Sequence, residues 1–294
     1  MASVIERVSY KGLDAVKVQD DQSSFIVTLF GAHVCSWEVA GEEQLFVSSL
    51  AKFDKSKAIR GGIPIVFPQF GRPNEVMAQH GFARNCDWTV ASQSIKEKSV
   101  TLELRESDET KAIWPHEFCV TLEISLLGGG TLGLELNVQN TGATAFECHT
   151  LIHTYLRLAD IRQARVSGFS GLRYHDHLGD KGERENEEEE NVIDREVDRE
   201  YQSYRIDRAV CVGCGDKKQF KISQSATIGG SAYPVDVVFW NAWVDKCKAT
   251  VDLDDDAYNN YVCVEPGTIA KYANVLPGQK LTLVNSIKSG KTDA

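Results

Sequence analysis

Apolar and polar side chains alternate over many short stretches of this chain. Val100–Arg105 alternates residue by residue, and so do Phe118–Ile124 and Leu132–Val138. A period of two puts successive side chains on opposite faces of a strand, one packed and one wet. Phe25–Phe30 is rich in β-formers, and after Gly31-Ala32 the stretch His33–Val39 predicts a hairpin partner. Further strands are expected at Val235–Trp240, Asn260–Val264, Ile269–Val275 and Leu281–Ile287. Gly128-Gly129-Gly130, Pro277-Gly278 and Ser289-Gly290 supply reversals. No long segment has helical period. The pattern predicts an all-β chain of two large, mainly antiparallel sheets packed face to face. No linker or internal repeat interrupts it, so residues 1–294 are expected to form a single domain.

One run differs. In Leu151–Leu158, read as a strand, Ile152, Thr154, Leu156 and Leu158 share one face. His153, Tyr155 and Arg157 share the other with Leu151. A greasy face backed by a titratable, aromatic and cationic one suggests a core on one side and a working cleft on the other, with His153 as an acid in that cleft. An ordinary half-buried histidine would fit the same run.

Composition narrows the picture. The net charge of −10 argues against a general nucleic-acid binder but leaves room for a small anion held by a few arginines. No apolar stretch is long enough to span a membrane. The first twenty residues carry Glu6, Arg7, Lys11, Asp14 and Lys17, where a secretory signal would need an uncharged apolar core. Asn-x-Ser/Thr acceptors are absent, and eight scattered cysteines sit mostly in apolar runs, as reduced thiols do. A cytoplasmic monomer is expected.

Three stretches carry candidate chemistry. In Arg60-Gly61-Gly62-Ile63-Pro64 a stiff turn presents a guanidinium, whose paired donors suit phosphate or carboxylate. In Gln79-His80-Gly81-Phe82-Ala83-Arg84, two donors and a histidine flank a glycine, suiting a polyhydroxylated or phosphorylated ligand. Glu265 closes an apolar strand before an expected turn at Pro266-Gly267, where partial burial would make it a good general base. Other patterns fail. Asp252–Asp256 has a calcium-loop spacing, but Ala257 and Cys263 stand where glycine and glutamate are needed. Cys211 and Cys214 lack a second zinc pair unless the fold brings His175 and His177 to them. The acidic stretch Glu183–Glu190 reads as a solvated loop, and Glu196–Tyr201 as a segment folding back on the sheets.

Together these stretches resemble the aldose 1-epimerase (mutarotase) family, most closely its hexose-6-phosphate branch. The likeness runs in order through Arg60–Pro64 with Phe67-Pro68, Gln79–Arg84 and Ile152–Tyr155. It continues through Val166, Gly168, Gly171, Tyr174 and Asp176, then Val197–Arg199 with Tyr201, Phe239–Asn241 and Val264–Gly267. The resemblance implies a galactose-mutarotase-like β-supersandwich with a cleft on one sheet. It implies catalysis by His153 and Glu265, sugar-phosphate contacts from Arg60, Gln79 and Arg84, a substrate contact from Asp198, and a place near the site for His80. The Glu183–Glu190 insertion and Glu200, at a usually apolar position, depart from the family pattern.

The implied reaction interconverts α and β anomers of a hexose 6-phosphate. Glu265 takes the C1 hydroxyl proton while His153 protonates the ring oxygen, and closure reverses both transfers. No metal or cofactor is required. A mutarotase for unphosphorylated aldoses and a non-catalytic sugar-phosphate-binding protein are the alternatives, but binding alone needs neither an acid nor a base.

Overall fold

The strand Tyr261–Val275 is the spine of the molecule, and the two predicted strands on either side of Glu265 are parts of it. The computed structural model describes residues 3–179, 182–204, 208–215 and 218–290. The spine lies in an eight-stranded sheet between Val235–Asn241 and Phe146–Ile152. Val197–Tyr204 and Arg173–Asp176 extend that sheet beyond Val235–Asn241. A ten-stranded sheet faces it, with Lys218–Ile228, Lys280–Gly290, Thr131–Asn140, Phe118–Gly128 and Ser99–Arg105 side by side at its centre. A third sheet, of five sequential strands from Val4–Tyr10 to Glu42–Glu43, contains the predicted N-terminal hairpin.

The alternation explains the layers. Leu122, Leu136 and Leu283 from the ten-stranded sheet meet Ile152, Phe239, Val262 and Val264 from the eight-stranded sheet in one buried cluster. Tyr155, Tyr261 and Cys263 point to the other face of the smaller sheet and form a second cluster with Phe46 and Leu253. The eight-stranded sheet is therefore covered on both faces at its centre, which is why its strands read as nearly unbroken apolar runs.

The structure departs from the sequence reading at several points. Ser289-Gly290 is no reversal: the two residues end the strand Lys280–Gly290, paired with Phe220 and Gln219, because the neighbouring strand extends far enough to satisfy them. Pro266-Gly267 is no turn either, since both pair with Val235–Asn241. The run Leu151–Leu158 is two strands, Phe146–Ile152 and Tyr155–Arg157. Arg157 donates to the Leu45 carbonyl, lies over the Phe46 ring and lines a separate groove.

The acidic stretch is partly regular. Gly182–Glu185 forms the edge of the eight-stranded sheet against Arg173–Asp176, and its exposed charges discourage further pairing there. Asp180, Lys181 and Arg205–Asp207 of the same polar segment lie outside the described residues. Glu196–Tyr201 does return to the sheets: Val197–Tyr204 is an interior strand. Glu200 is buried in it and satisfied by His177 Nε2 at 3.3 Å and Gln202 Nε2 at 3.2 Å. All eight cysteines are free thiols, and among the described residues no helix is long and apolar enough to cross a membrane.

Gly61 shows how tightly the arginine turn is fixed. Its φ is +99°, and a Cβ there would collide with the Phe46 carbonyl and Val47 Cα. Left-handed backbone alone costs a non-glycine residue about 1–2 kcal/mol. Gly61→Ala is expected to lose more than that in urea unfolding, and an unchanged midpoint would refute the fit.

Candidate active site

Antiparallel register brings the candidate residues into two rows across the sheet. Leu151 pairs with Gly267 and Tyr155 with Cys263. Between those pairs the ladder is interrupted, and the position across from Glu265 is His153. Pro266 has no N–H to offer at the interruption. The freed backbone groups of the broken strand turn to the arginine loop instead. His153 N–H donates to the Pro64 carbonyl at 3.0 Å and Tyr155 N–H to the Gly62 carbonyl at 2.9 Å. On the spine's other side Glu265 pairs with Val238, which pairs with Glu200. The adjacent row runs Tyr155, Cys263, Trp240, Asp198. Asp198 thus shares the sheet face of Glu265, two strands away.

His153 Nδ1 lies 3.1 Å from Glu265 Oε1 without hydrogen-bond alignment, and Nδ1 has no hydrogen-bond partner. The imidazole is held by rings. Tyr155 stacks on it at 4.8 Å with planes 3° apart, and Trp240 meets it edge-on at 6.0 Å. Burial drives the two groups toward neutrality. His153 is pushed well below an ordinary histidine by burial, by His80 and by the charges of Arg84 and Arg60. Glu265 is pushed well above an ordinary glutamate by burial and by Asp198, against the pull of Arg84. Burial thus pulls both groups toward their neutral forms, away from the imidazolium and carboxylate that ring opening calls on.

The loop Gln79–Arg84 is anchored at Gly81, which bridges Phe67 and has no room for a Cβ beneath the Phe67 carbonyl. Beside it His80 takes φ +64°, a conformation costly for a side chain of this kind and typical of functional sites. The His80 ring stands 5.9 Å from that of His153, and its Nδ1 accepts from the Gly71 N–H at 3.2 Å. Burial and the two arginines hold His80 neutral.

Arg60, Gln79 and Arg84 line a cavity of about 200 Å³ with Lys57, Tyr155 and Asp252. Arg60 is tethered: its Nε meets Asp252 Oδ1 at 3.2 Å and a terminal nitrogen donates to the Tyr155 hydroxyl at 3.4 Å. Burial lowers the pKa of Arg60, but Tyr155 and Asp252 outweigh it and hold the charge firmly. Arg84 is different. It donates to the Gln79 carbonyl at 2.7 Å, its Nε is buried without a partner, and among the described residues it has no ion pair. Burial and Arg60 push it down to about 10. A guanidinium held this way, beside another, is arranged for an anion supplied from outside.

All seven candidates thus fall on one side of the smaller sheet, with Asp198 at its far margin, where it also lines a second cavity of about 360 Å³. Two residues were missed. Tyr155 joins the imidazole to Arg60, and its place two residues from His153 was the available signal. Asp252, set aside as a failed calcium loop, is buried and also binds Lys57 at 2.9 Å; nothing local in the sequence marks it. Cys211 and Cys214 do not converge with His175 and His177 among the described residues.

The chain is similar along most of its length to several known proteins. A Cenchrus ciliaris protein named "Putative glucose-6-phosphate 1-epimerase" is 36% identical over 86% of this chain and 78% of its own length. An Escherichia coli protein of the same name is 32% identical over 99% and 95%. The crystal structure of a "putative mutarotase" from Salmonella typhimurium superposes with TM-score 0.85 at 26% identity, over 98% of this chain and 94% of that one. Galactose 1-epimerase from Lactobacillus acidophilus shares the fold, with TM-score 0.76 at 14% identity over 98% and 99%. The profile of one family, Aldose 1-epimerase, matches residues 14–288, from the N-terminal sheet to the last strand and through both rows of the site, and the chain belongs to that family.

Proposed function

We propose that this enzyme interconverts the α and β anomers of a hexose 6-phosphate, chiefly glucose 6-phosphate, as a cytoplasmic monomer. The observation that carries the reading is an acid/base pair beside a cavity lined by a guanidinium that has no ion pair among the described residues. His153 and Glu265 face each other across a broken ladder, and the Arg84 Nε is buried without a hydrogen-bond partner in the cavity that Arg60 also lines. The names of the curated relatives point to the same substrate.

Ring opening needs a proton taken from the C1 hydroxyl and one given to the ring oxygen. Glu265, raised by burial, is a stronger base than a surface glutamate whenever it is ionised. His153, lowered by burial, is a stronger acid whenever it is protonated. After rotation about C1–C2 the two transfers reverse and the ring closes on its other face. Arg60 and Arg84 clamp the phosphate and hold C1 and the ring oxygen against the pair, with Gln79 and Asp198 directing hydroxyls and His80 closing one wall.

The phosphate does more than anchor. Part of what keeps His153 neutral is the positive field of Arg84 and Arg60. A dianion seated on both guanidiniums cancels that part, so substrate binding itself favours the imidazolium. The test is magnetisation-transfer NMR of glucose 6-phosphate anomers. Saturable acceleration is expected with the native enzyme and its loss with His153→Ala; equal exchange in both refutes the pair.

A further inference from the structure

Glu265 and His153 have a third neighbour that anomer exchange does not use. Cys263 precedes Glu265 by two residues and projects to the same face of the strand Tyr261–Val275. It is wholly buried beside the Glu265 carboxyl. The His153, Cys263 and Glu265 ligand atoms lie within 4.8 Å of one another, and His153 Nδ1 lacks a hydrogen-bond partner.

We propose that His153 Nδ1, Cys263 Sγ and Glu265 Oε1 form an inhibitory site for a thiophilic divalent cation of the zinc class. One nitrogen, one sulfur and one carboxylate oxygen are the donors such ions select. Tetrahedral bonds of about 2.0–2.3 Å set neighbouring donors roughly 3.5 Å apart. The Nδ1 to Oε1 separation of 3.1 Å is already close to that. A shift of about 1 Å by the Cys263 or Glu265 side chain completes the set. The stacked Tyr155 ring fixes the imidazole plane, so only the other two donors need adjust. On binding, the Cys263 thiol and the Glu265 carboxyl release their protons to solvent, and sulfur, carboxylate oxygen and neutral imidazole each donate a lone pair to the metal. Neither oxidant nor reductant enters. Occupancy removes both proton-transfer groups at once, so the metal is expected to compete with the sugar phosphate; that consequence rests on the function proposed above, whereas the binding does not.

The test is titration of the purified protein with Co²⁺, followed by zinc inhibition of anomer exchange. A thiolate-to-cobalt charge-transfer band is expected in the native protein and its absence in Cys263→Ala. Half-inhibition by Zn²⁺, measured against each protein's own uninhibited rate, should need at least ten times more zinc in the variant, and chelation by EDTA should restore the native rate. Cys263→Ser, closer in volume, serves if the alanine variant does not fold. No band in the native protein, or a band kept in the variants, overturns the site. A band without inhibition upholds the site and refutes His153 and Glu265 as the acid/base pair.

Discussion

Glu265→Gln is expected to slow anomer exchange by about 10²–10⁴-fold while making the protein more stable at alkaline pH. The two effects share one cause. Glutamine keeps the shape of the buried side chain opposite Val238 but accepts no proton, so the C1 hydroxyl loses its base. The folded protein holds Glu265 well above its ordinary value of 4.5, chiefly through burial. A carboxyl raised on folding stabilises most below its unfolded pKa, and that stabilisation is lost as the pH climbs through the folded pKa. At about pH 8 the native protein therefore carries a cost that the amide avoids, either as a buried anion or in the proton it must take up on folding. Thermal melts of both proteins at about pH 5 and pH 8 should show the variant gaining on the native protein as pH rises. A variant that loses ground over that interval would contradict the assignment. The opposed signs also separate this residue from a merely structural one, whose removal lowers activity and stability together.

The second large effect concerns Arg84 and has opposite signs for two substrates. Arg84→Gln should raise KM for glucose 6-phosphate by about 10–100-fold, since one charge-assisted contact is worth roughly 1.5–3 kcal/mol. Unphosphorylated glucose should instead be turned over faster by the variant than by the native enzyme. Glucose brings no charge to cancel the arginine field, which together with burial holds His153 away from the imidazolium the acid step needs. Removing Arg84 removes part of that field. Each pKa unit recovered by His153 multiplies the protonated fraction about tenfold. For the same reason the native advantage of glucose 6-phosphate over glucose should appear in kcat as well as KM. Equal losses on both sugars in Arg84→Gln would reduce the arginine to an anchor. Raised salt, which screens the exposed part of the clamp, should raise KM for the phosphate and leave glucose unaffected.

Much of this was legible in the chain, for identifiable reasons. Period-two alternation is a local signal, so strands such as Val100–Arg105 and Phe118–Ile124 were readable, as was the inward face of Ile152 and Leu156. The loops at Arg60 and Gln79 were readable because glycine marks backbone that no other residue can follow, as at Gly81. What escaped depends on partners distant in sequence. Pro266-Gly267 looks like a turn until Val235–Asn241 is beside it. Asp252 looks like a loop carboxylate until Arg60, nearly two hundred residues away, closes on it. Protonation states escaped for the same reason. No spacing in the sequence reveals that two arginines bear on one imidazole, or that Asp198 bears on Glu265.

The interrupted ladder has a consequence for how such an enzyme can change. The backbone of His153 hangs from Pro64, and that of Tyr155 from Gly62, on the short turn that also carries Arg60. Substrate choice and placement of the acid are thus written into the same five residues. An insertion or a reshaped turn that adapts the anion clamp to a new sugar displaces the imidazole with it. New specificities should therefore arise by exchanging side chains on a turn of fixed length, or from the opposite wall around Gln79 and Arg84, which makes no such backbone bond to the acid. A chimera grafting a longer turn between Ile59 and Ile65 should lose exchange of every sugar at once.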